Sequence, residues 1–177
     1  NALKYLDAAK DSLLYKEIIE FKETVLSIKS KCLSLQNELE EYDYVISHND
    51  LVAGNVLLDS SGKKYMIDFE TVGLTKTDFI VGQLAVDAEI DWYLESKEPP
   101  SLLELYNKLN FVFDDSISYN TFVARVLERH IQNICYGYRQ ISIGMIRKYP
   151  IKYINQKKAV VYFCKQRINE LEGEIQL

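Results

Sequence analysis

Four residues in this chain have types and spacing suited to one reaction. They are His48, Asp50, Asn55 and Asp68. The first three lie in Val45-Ile46-Ser47-His48-Asn49-Asp50-Leu51-Val52-Ala53-Gly54-Asn55-Val56-Leu57-Leu58. The fourth opens Asp68-Phe69-Glu70, directly after Tyr65-Met66-Ile67. The chemistry this set can serve is phosphoryl transfer from ATP. That reaction needs an acceptor hydroxyl held in line with the γ-phosphate and Mg²⁺ to neutralise charge on the leaving group. A carboxylate at the end of a loop, Asp50, can orient the hydroxyl and take its proton. An amide oxygen and a second carboxylate, Asn55 and Asp68, are hard ligands of the kind Mg²⁺ prefers.

Each residue also has a plainer use. Asp50 could cap a turn, Asn55 could start a strand and Asp68 could end one. Taken singly those uses would prevail; the shared spacing favours the functional set. His48 reads as a loop brace working through hydrogen bonds rather than as a proton shuttle. Glu70, two residues after Asp68, could reach metal or substrate or simply be solvated, and both stay open.

The spacing follows the catalytic-loop pattern H-x-D-L-x-x-x-N. With His48-Asn49-Asp50-Leu51, Gly54-Asn55-Val56-Leu57 and Ile67-Asp68-Phe69-Glu70 in place, the chain resembles the aminoglycoside phosphotransferase and choline kinase superfamily. Protein kinases carry glycine where this chain has Glu70, which makes that alternative weaker. The close match runs from Val45 to Glu70; the flanking helices match in outline. The resemblance implies a kinase-like fold and ATP-dependent transfer to a small-molecule hydroxyl on a choline-, aminoglycoside- or sugar-like acceptor. It implies Asp50 as base and Asn55 and Asp68 on Mg²⁺.

Two departures accompany it. Family members often open the following helix with Asp-Leu-Ala, whereas this chain has Gly82-Gln83-Leu84-Ala85. The aspartate that braces the catalytic loop is therefore lost, or displaced to Asp78 or Asp87. The chain also lacks a glycine before Gly54, so no glycine-rich phosphate loop or following strand lysine precedes the site. Since the chain also starts without methionine, the expectation is a C-terminal lobe whose N-terminal lobe lies upstream in a longer parent. Such a lobe alone would hold only the metal side of the site and would be inactive.

The elements that must position these residues are mostly helical. Residues 1–43 form a long helical segment with no glycine or proline, carrying an apolar stripe at Leu14, Ile18, Phe21, Val25, Ile28, Cys32, Leu35 and Leu39. Residues 44–70 hold the catalytic loop and a small hairpin, with strands at Tyr44-Val45-Ile46, Asn55-Val56-Leu57-Leu58 and Tyr65-Met66-Ile67 around a turn at 59–63. Residues 77–172 read as a helical body with helices over 79–94, 102–109, a long one marked by Phe122, Val126, His130 or Ile131, Ile134, Tyr138, Ile141 and Met145, and 155–171. The expected class is mainly α with one β-hairpin, in a single domain of 177 residues.

Composition narrows the partners. A net charge of −5 speaks against nucleic acid, which requires a basic footprint. No apolar run reaches the length of a membrane span, and the start is no signal peptide. Three scattered cysteines fit reduced thiols in a cytoplasmic protein. Trp92, Tyr93, Tyr136, Tyr138, Tyr149 and Tyr153, with Asp87, Glu89 and Asp91, could hold a substrate cation, although core packing is the commoner use of such residues. Two rival functions stand beside the enzyme: a non-catalytic kinase-like binding or scaffold module, and a helical protein that self-associates through the Leu14–Leu39 stripe.

Overall fold

A computed structural model describes residues 15–36, 42–95, 98, 100–113 and 117–174. Five helices and four short strands make up the described chain. Helix α1 (Tyr15–Gln36) precedes strand β1 (Tyr44–Ser47), a 3₁₀ turn (Ala53–Asn55), strands β2 (Val56–Leu58) and β3 (Lys64–Met66), a second 3₁₀ turn (Phe69–Thr71) and strand β4 (Gly73–Lys76). Helices α2 (Thr77–Leu94), α3 (Leu102–Val112), α4 (Tyr119–Ile146) and α5 (Ile151–Glu174) follow. This is the mainly helical class with a small hairpin that the residue pattern predicts.

Helix α4 is the axis of the body. It packs along α5, α2 and α1 and also touches α3. Its apolar residues Phe122, Val126, Ile134, Tyr138 and Ile141 are buried, as their helical spacing requires. Ile18, Phe21, Val25 and Ile28 on α1 are buried too, so this part of the stripe packs into the chain's own core. Leu14 and Leu39 lie outside the described residues, as do the side chains of Cys32 and Leu35.

Local signals set the helix ends. Ser101 and Ser118 accept hydrogen bonds from the backbone N–H groups of Glu104 and Thr121, satisfying donors that the first helical turn leaves free. Helix α4 stops in a left-handed residue, Lys148 (φ 54°), with the Tyr149 N–H returning to the Gly144 carbonyl at 2.8 Å and the Lys148 N–H to Met145 at 3.4 Å. That is the Schellman arrangement, here with lysine where glycine is usual. Pro150 then starts α5, four residues earlier than the sequence pattern predicts.

Two antiparallel ladders hold the loop. β2 pairs with β3 (Val56 opposite Met66, Leu58 opposite Lys64), which is the predicted hairpin. Its turn is built on Asp59, whose carboxylate accepts from the Ser61 hydroxyl at 2.6 Å, from the Ser61 N–H at 2.8 Å and from the Lys63 N–H at 3.0 Å. These bonds, the Ser61 hydroxyl first, hold its carboxyl below the ordinary value. The other ladder was not visible in the sequence. β1 pairs with β4, with Tyr44 opposite Lys76 and Ser47 opposite Gly73. Four residues that run straight into a helix give too short an alternation to announce a strand.

Candidate active site

The segment from Ser47 to Asn55 leaves β1, crosses in a short loop and enters β2. Ser47 and His48 are buried at its start. His48 Nε2 lies 2.8 Å from the Ile67 carbonyl, so the ring carries its proton on Nε2 and donates to the residue before Asp68. Its edge also meets the Phe69 ring, with centroids 5.1 Å apart. His48 thus links the two halves of the motif and points no nitrogen at Asp50 through any hydrogen bond among the described residues.

Asp50 and Asn55 are joined directly. The Asn55 side-chain N–H₂ donates to the Asp50 carboxylate at 2.9 Å and to the Asp50 backbone carbonyl at 3.0 Å. A five-residue separation allows this because the 3₁₀ turn Ala53–Asn55 folds the chain back. With the nitrogen engaged, the Asn55 amide oxygen is left for another partner. The Asn55 backbone carbonyl accepts from the Ile67 N–H at 3.0 Å, extending the hairpin by one bond beyond Val56 and Met66. Asp68 follows immediately, exposed and in the left-handed region (φ 62°, ψ 60°). The hairpin register therefore sets Ile67 opposite Asn55 and Asp68 one residue beyond that pair. Glu70 sits exposed in the 3₁₀ turn Phe69–Thr71.

Asp50 opens into a cleft of about 610 Å³, within the size range of small-molecule sites. Asn49, Asp50 and Thr71 line its loop side, and Asp87, Ile90 and Asp91 its α2 side. Helices α4 and α5 supply Arg129, Asn133, Tyr136 and Lys157. Asp68 and Glu70 are not part of that wall. Burial raises the Asp87 carboxyl above its ordinary value, against the pull of Arg129 at 3.4 Å. Burial also raises Asp91, with Glu95 adding repulsion.

Apart from Tyr136, these residues from α4 and α5 escaped the sequence reading. Arg129, Asn133 and Lys157 stand beside apolar helical positions and form no motif; tertiary packing alone turns them toward Asp50. The suggested cation-binding set divides. Asp87, Asp91 and Tyr136 line the cleft, whereas Glu89 is fully buried between His130 Nε2 at 3.0 Å and the Arg167 guanidinium at 2.6 Å. Tyr93 stacks on Phe163 at 4.6 Å and Tyr138 is core, the structural use of these rings.

Neither relocated aspartate bonds to the catalytic loop among the described residues. Asp78 is buried and pairs with Arg125 at 2.6 Å, and that guanidinium lies 3.9 Å over the Phe79 ring and also pairs with Glu128. Asp87 takes Arg129. The loop is held from the other direction, by Asn49. Its N–H₂ donates to the Thr71 carbonyl at 3.0 Å, and its oxygen accepts from the Thr75 hydroxyl at 2.5 Å. The Thr71 hydroxyl in turn donates to the His48 carbonyl at 2.6 Å.

A family model described as the phosphotransferase enzyme family (APH) matches residues 2–109, a span that contains the whole motif. None of the curated proteins compared with the chain matches it. Among solved structures, an ethanolamine kinase of Plasmodium vivax is similar with a TM-score of 0.56 and 15% identity. The match covers 92% of this chain and 47% of that one, so the chain spans about half the length of that structure. At this identity the likeness shows the fold, which is kinase-like.

Proposed function

We propose that this chain, which belongs to the phosphotransferase enzyme family, carries the acceptor and metal sides of an enzyme that moves the γ-phosphoryl group of ATP to a hydroxyl of a small molecule. The observation that carries the reading is the Asp50 carboxylate, tied by Asn55 and lining a cleft of about 610 Å³. A carboxylate fixed in this way can accept the proton of a hydroxyl bound in the cleft while the oxygen attacks phosphorus. Arg129, Asn133 and the acidic residues of α2 would orient the acceptor.

The donor set also fits Mg²⁺. Asn55 keeps an amide oxygen free, and Asp68, one residue past the hairpin partner of Asn55, presents an exposed carboxylate. Among the described residues no group of three histidine, cysteine or acidic side chains could hold a metal alone. Mg²⁺ is commonly held by one or two carboxylates with phosphate oxygens and water completing its shell, so two protein ligands suffice. Bound there, the ion would neutralise charge on the β- and γ-phosphates. Hydrogen bonds to Asp50 fix the Asn55 side chain, and the hairpin backbone fixes the chain entering Asp68, before nucleotide arrives. The residues that cover the phosphates would come from a part of the protein outside this chain.

The test is an ATP-consumption assay on the full-length protein with amino alcohols, aminoglycosides and sugars as acceptors. At least one acceptor should stimulate turnover, and Asp50→Asn should lower it by about 10²–10⁴-fold with the thermal melt nearly unchanged. No stimulation by any hydroxylated acceptor, or a wild-type rate in Asp50→Asn, overturns the reading.

A further inference from the structure

We infer that Asn49, Thr71 and Thr75 form a clamp that positions the catalytic loop from strand β4 and the 3₁₀ turn before it, a task to which neither Asp78 nor Asp87 on helix α2 contributes a hydrogen bond. The inference rests on the proposed phosphotransfer role of Asp50.

Three observations carry it. Asn49 precedes Asp50 and has φ 60°, a conformation a residue with a side chain adopts only at a cost. Something must hold it there, and the hydrogen bonds identify what does. The Asn49 amide is used at both ends, by the Thr71 carbonyl and the Thr75 hydroxyl. The second observation is the β1–β4 pairing, which places Ser47 opposite Gly73, midway between the two threonines. The Asn49 amide nitrogen lies only 3.4 Å from where a Cβ at position 73 would stand, so the amide rests against the strand there. The third is that, among the described residues, neither acidic candidate bonds to the loop: one Asp78 oxygen pairs with Arg125 and the other is buried without a hydrogen-bond partner, and Asp87 pairs with Arg129.

The physical consequence is that the backbone entering Asp50 is tied at two points: the Asn49 side chain to Thr75 on β4 and to Thr71 in the 3₁₀ turn before it, and the His48 carbonyl to the Thr71 hydroxyl. Asn55 ties the backbone leaving it. A carboxylate between two fixed points keeps its angle to the acceptor, and a misplacement near 1 Å costs as much as about 10²-fold in rate. Thr75 is a positioning residue on this account. It is not among the residues lining the cleft and acts on Asp50 through Asn49.

The experiment uses the full-length protein with the acceptor that stimulates it, and measures kcat and KM for both substrates. Thr75→Val keeps the shape and removes the hydroxyl. It should lower kcat about 10–100-fold while both KM values stay within about twofold. Thr75→Ser restores the hydroxyl and should return kcat to near wild type. Asn49→Gly accepts the positive φ without strain and removes both amide bonds, so it should lower kcat at least as far with a melt close to wild type. If Thr75→Val does not fold, the Asn49→Gly and Thr75→Ser pair decides the matter. Wild-type kcat in Asn49→Gly, or equal losses in Thr75→Val and Thr75→Ser, overturns the clamp. Asp50→Asn is measured alongside. If it loses activity while the clamp variants keep theirs, the clamp alone fails; if it stays active, the catalytic reading fails and the clamp with it.

Discussion

The amide of Asn55 holds Asp50 twice, at the carboxylate (2.9 Å) and at the backbone carbonyl (3.0 Å). One side chain therefore serves both sides of the site: its nitrogen orients the proposed base, and its oxygen is available to a cation. The pairing makes the two residues hard to alter independently.

Asn55→Ala should consequently damage two things at once in the full-length protein: the orientation of Asp50 and one ligand to Mg²⁺. Asp68→Ala removes a full negative charge from the metal side and should abolish Mg²⁺-dependent nucleotide binding. The loss in Asn55→Ala should be smaller for binding, because a neutral amide attracts the cation less, yet large for turnover. Titrating Mg²⁺ against bound nucleotide, with kcat measured in parallel, separates the two effects. Equal binding losses would contradict the assignment.

Glu89→Ala should destabilise the protein by about 3–5 kcal/mol, because it leaves buried His130 with no carboxylate and Arg167 with only the exposed Glu170. These three residues tie α2, α4 and α5 together away from the cleft. A urea melt measures the loss. A change under about 1 kcal/mol would mean the network behaves like a surface ion pair.

Gly82→Ala should also destabilise, by about 1–3 kcal/mol. A Cβ there would stand 2.6 Å from Arg125 Cβ and 2.9 Å from the Arg125 backbone carbon and oxygen. Backbone cannot turn aside, so α2 must move off α4. The helix-propensity gain of alanine over glycine, at most about 1 kcal/mol, is too small to offset this. Calorimetric melts of the two proteins provide the comparison, and a more stable variant would show that the helices part at little cost.

The Asp87 carboxyl titrates above its ordinary 3.8 because burial disfavours its charge more than Arg129 favours it. A carboxyl raised in the folded state binds more protons folded than unfolded, so its contribution is fully present below 3.8 and declines as pH rises through the folded value. The stability of wild type relative to Asp87→Asn should therefore fall as pH rises from below 3.8 through that window, then level off. Melts of both proteins across acidic pH give the difference curve. A rise instead of a fall would show that Arg129 outweighs burial.

Much of this protein is written locally. The helices at Thr77–Leu94, Leu102–Val112, Tyr119–Ile146 and Ile151–Glu174 follow from apolar residues at helical spacing, from Ser101 and Ser118 as caps and from Pro150 as a break. The β2–β3 hairpin follows from two short apolar runs around Asp59 and Gly62. His48, Asp50, Asn55 and Asp68 were recognisable because the loop and the hairpin must put them at fixed separations along the chain, and a fixed separation leaves a pattern. Tertiary structure alone decided the rest. Strand β4 exists because β1 supplies its hydrogen bonds, and the brace through Asn49, Thr71 and Thr75 spans 26 residues between its ends. Arg129, Asn133 and Lys157 reach the cleft only because α4 and α5 pack against α2 at a particular rotation. A polar residue on a helix flank has the same local signature whether it faces water or a substrate. What distinguishes them is the neighbour brought up from elsewhere in the chain.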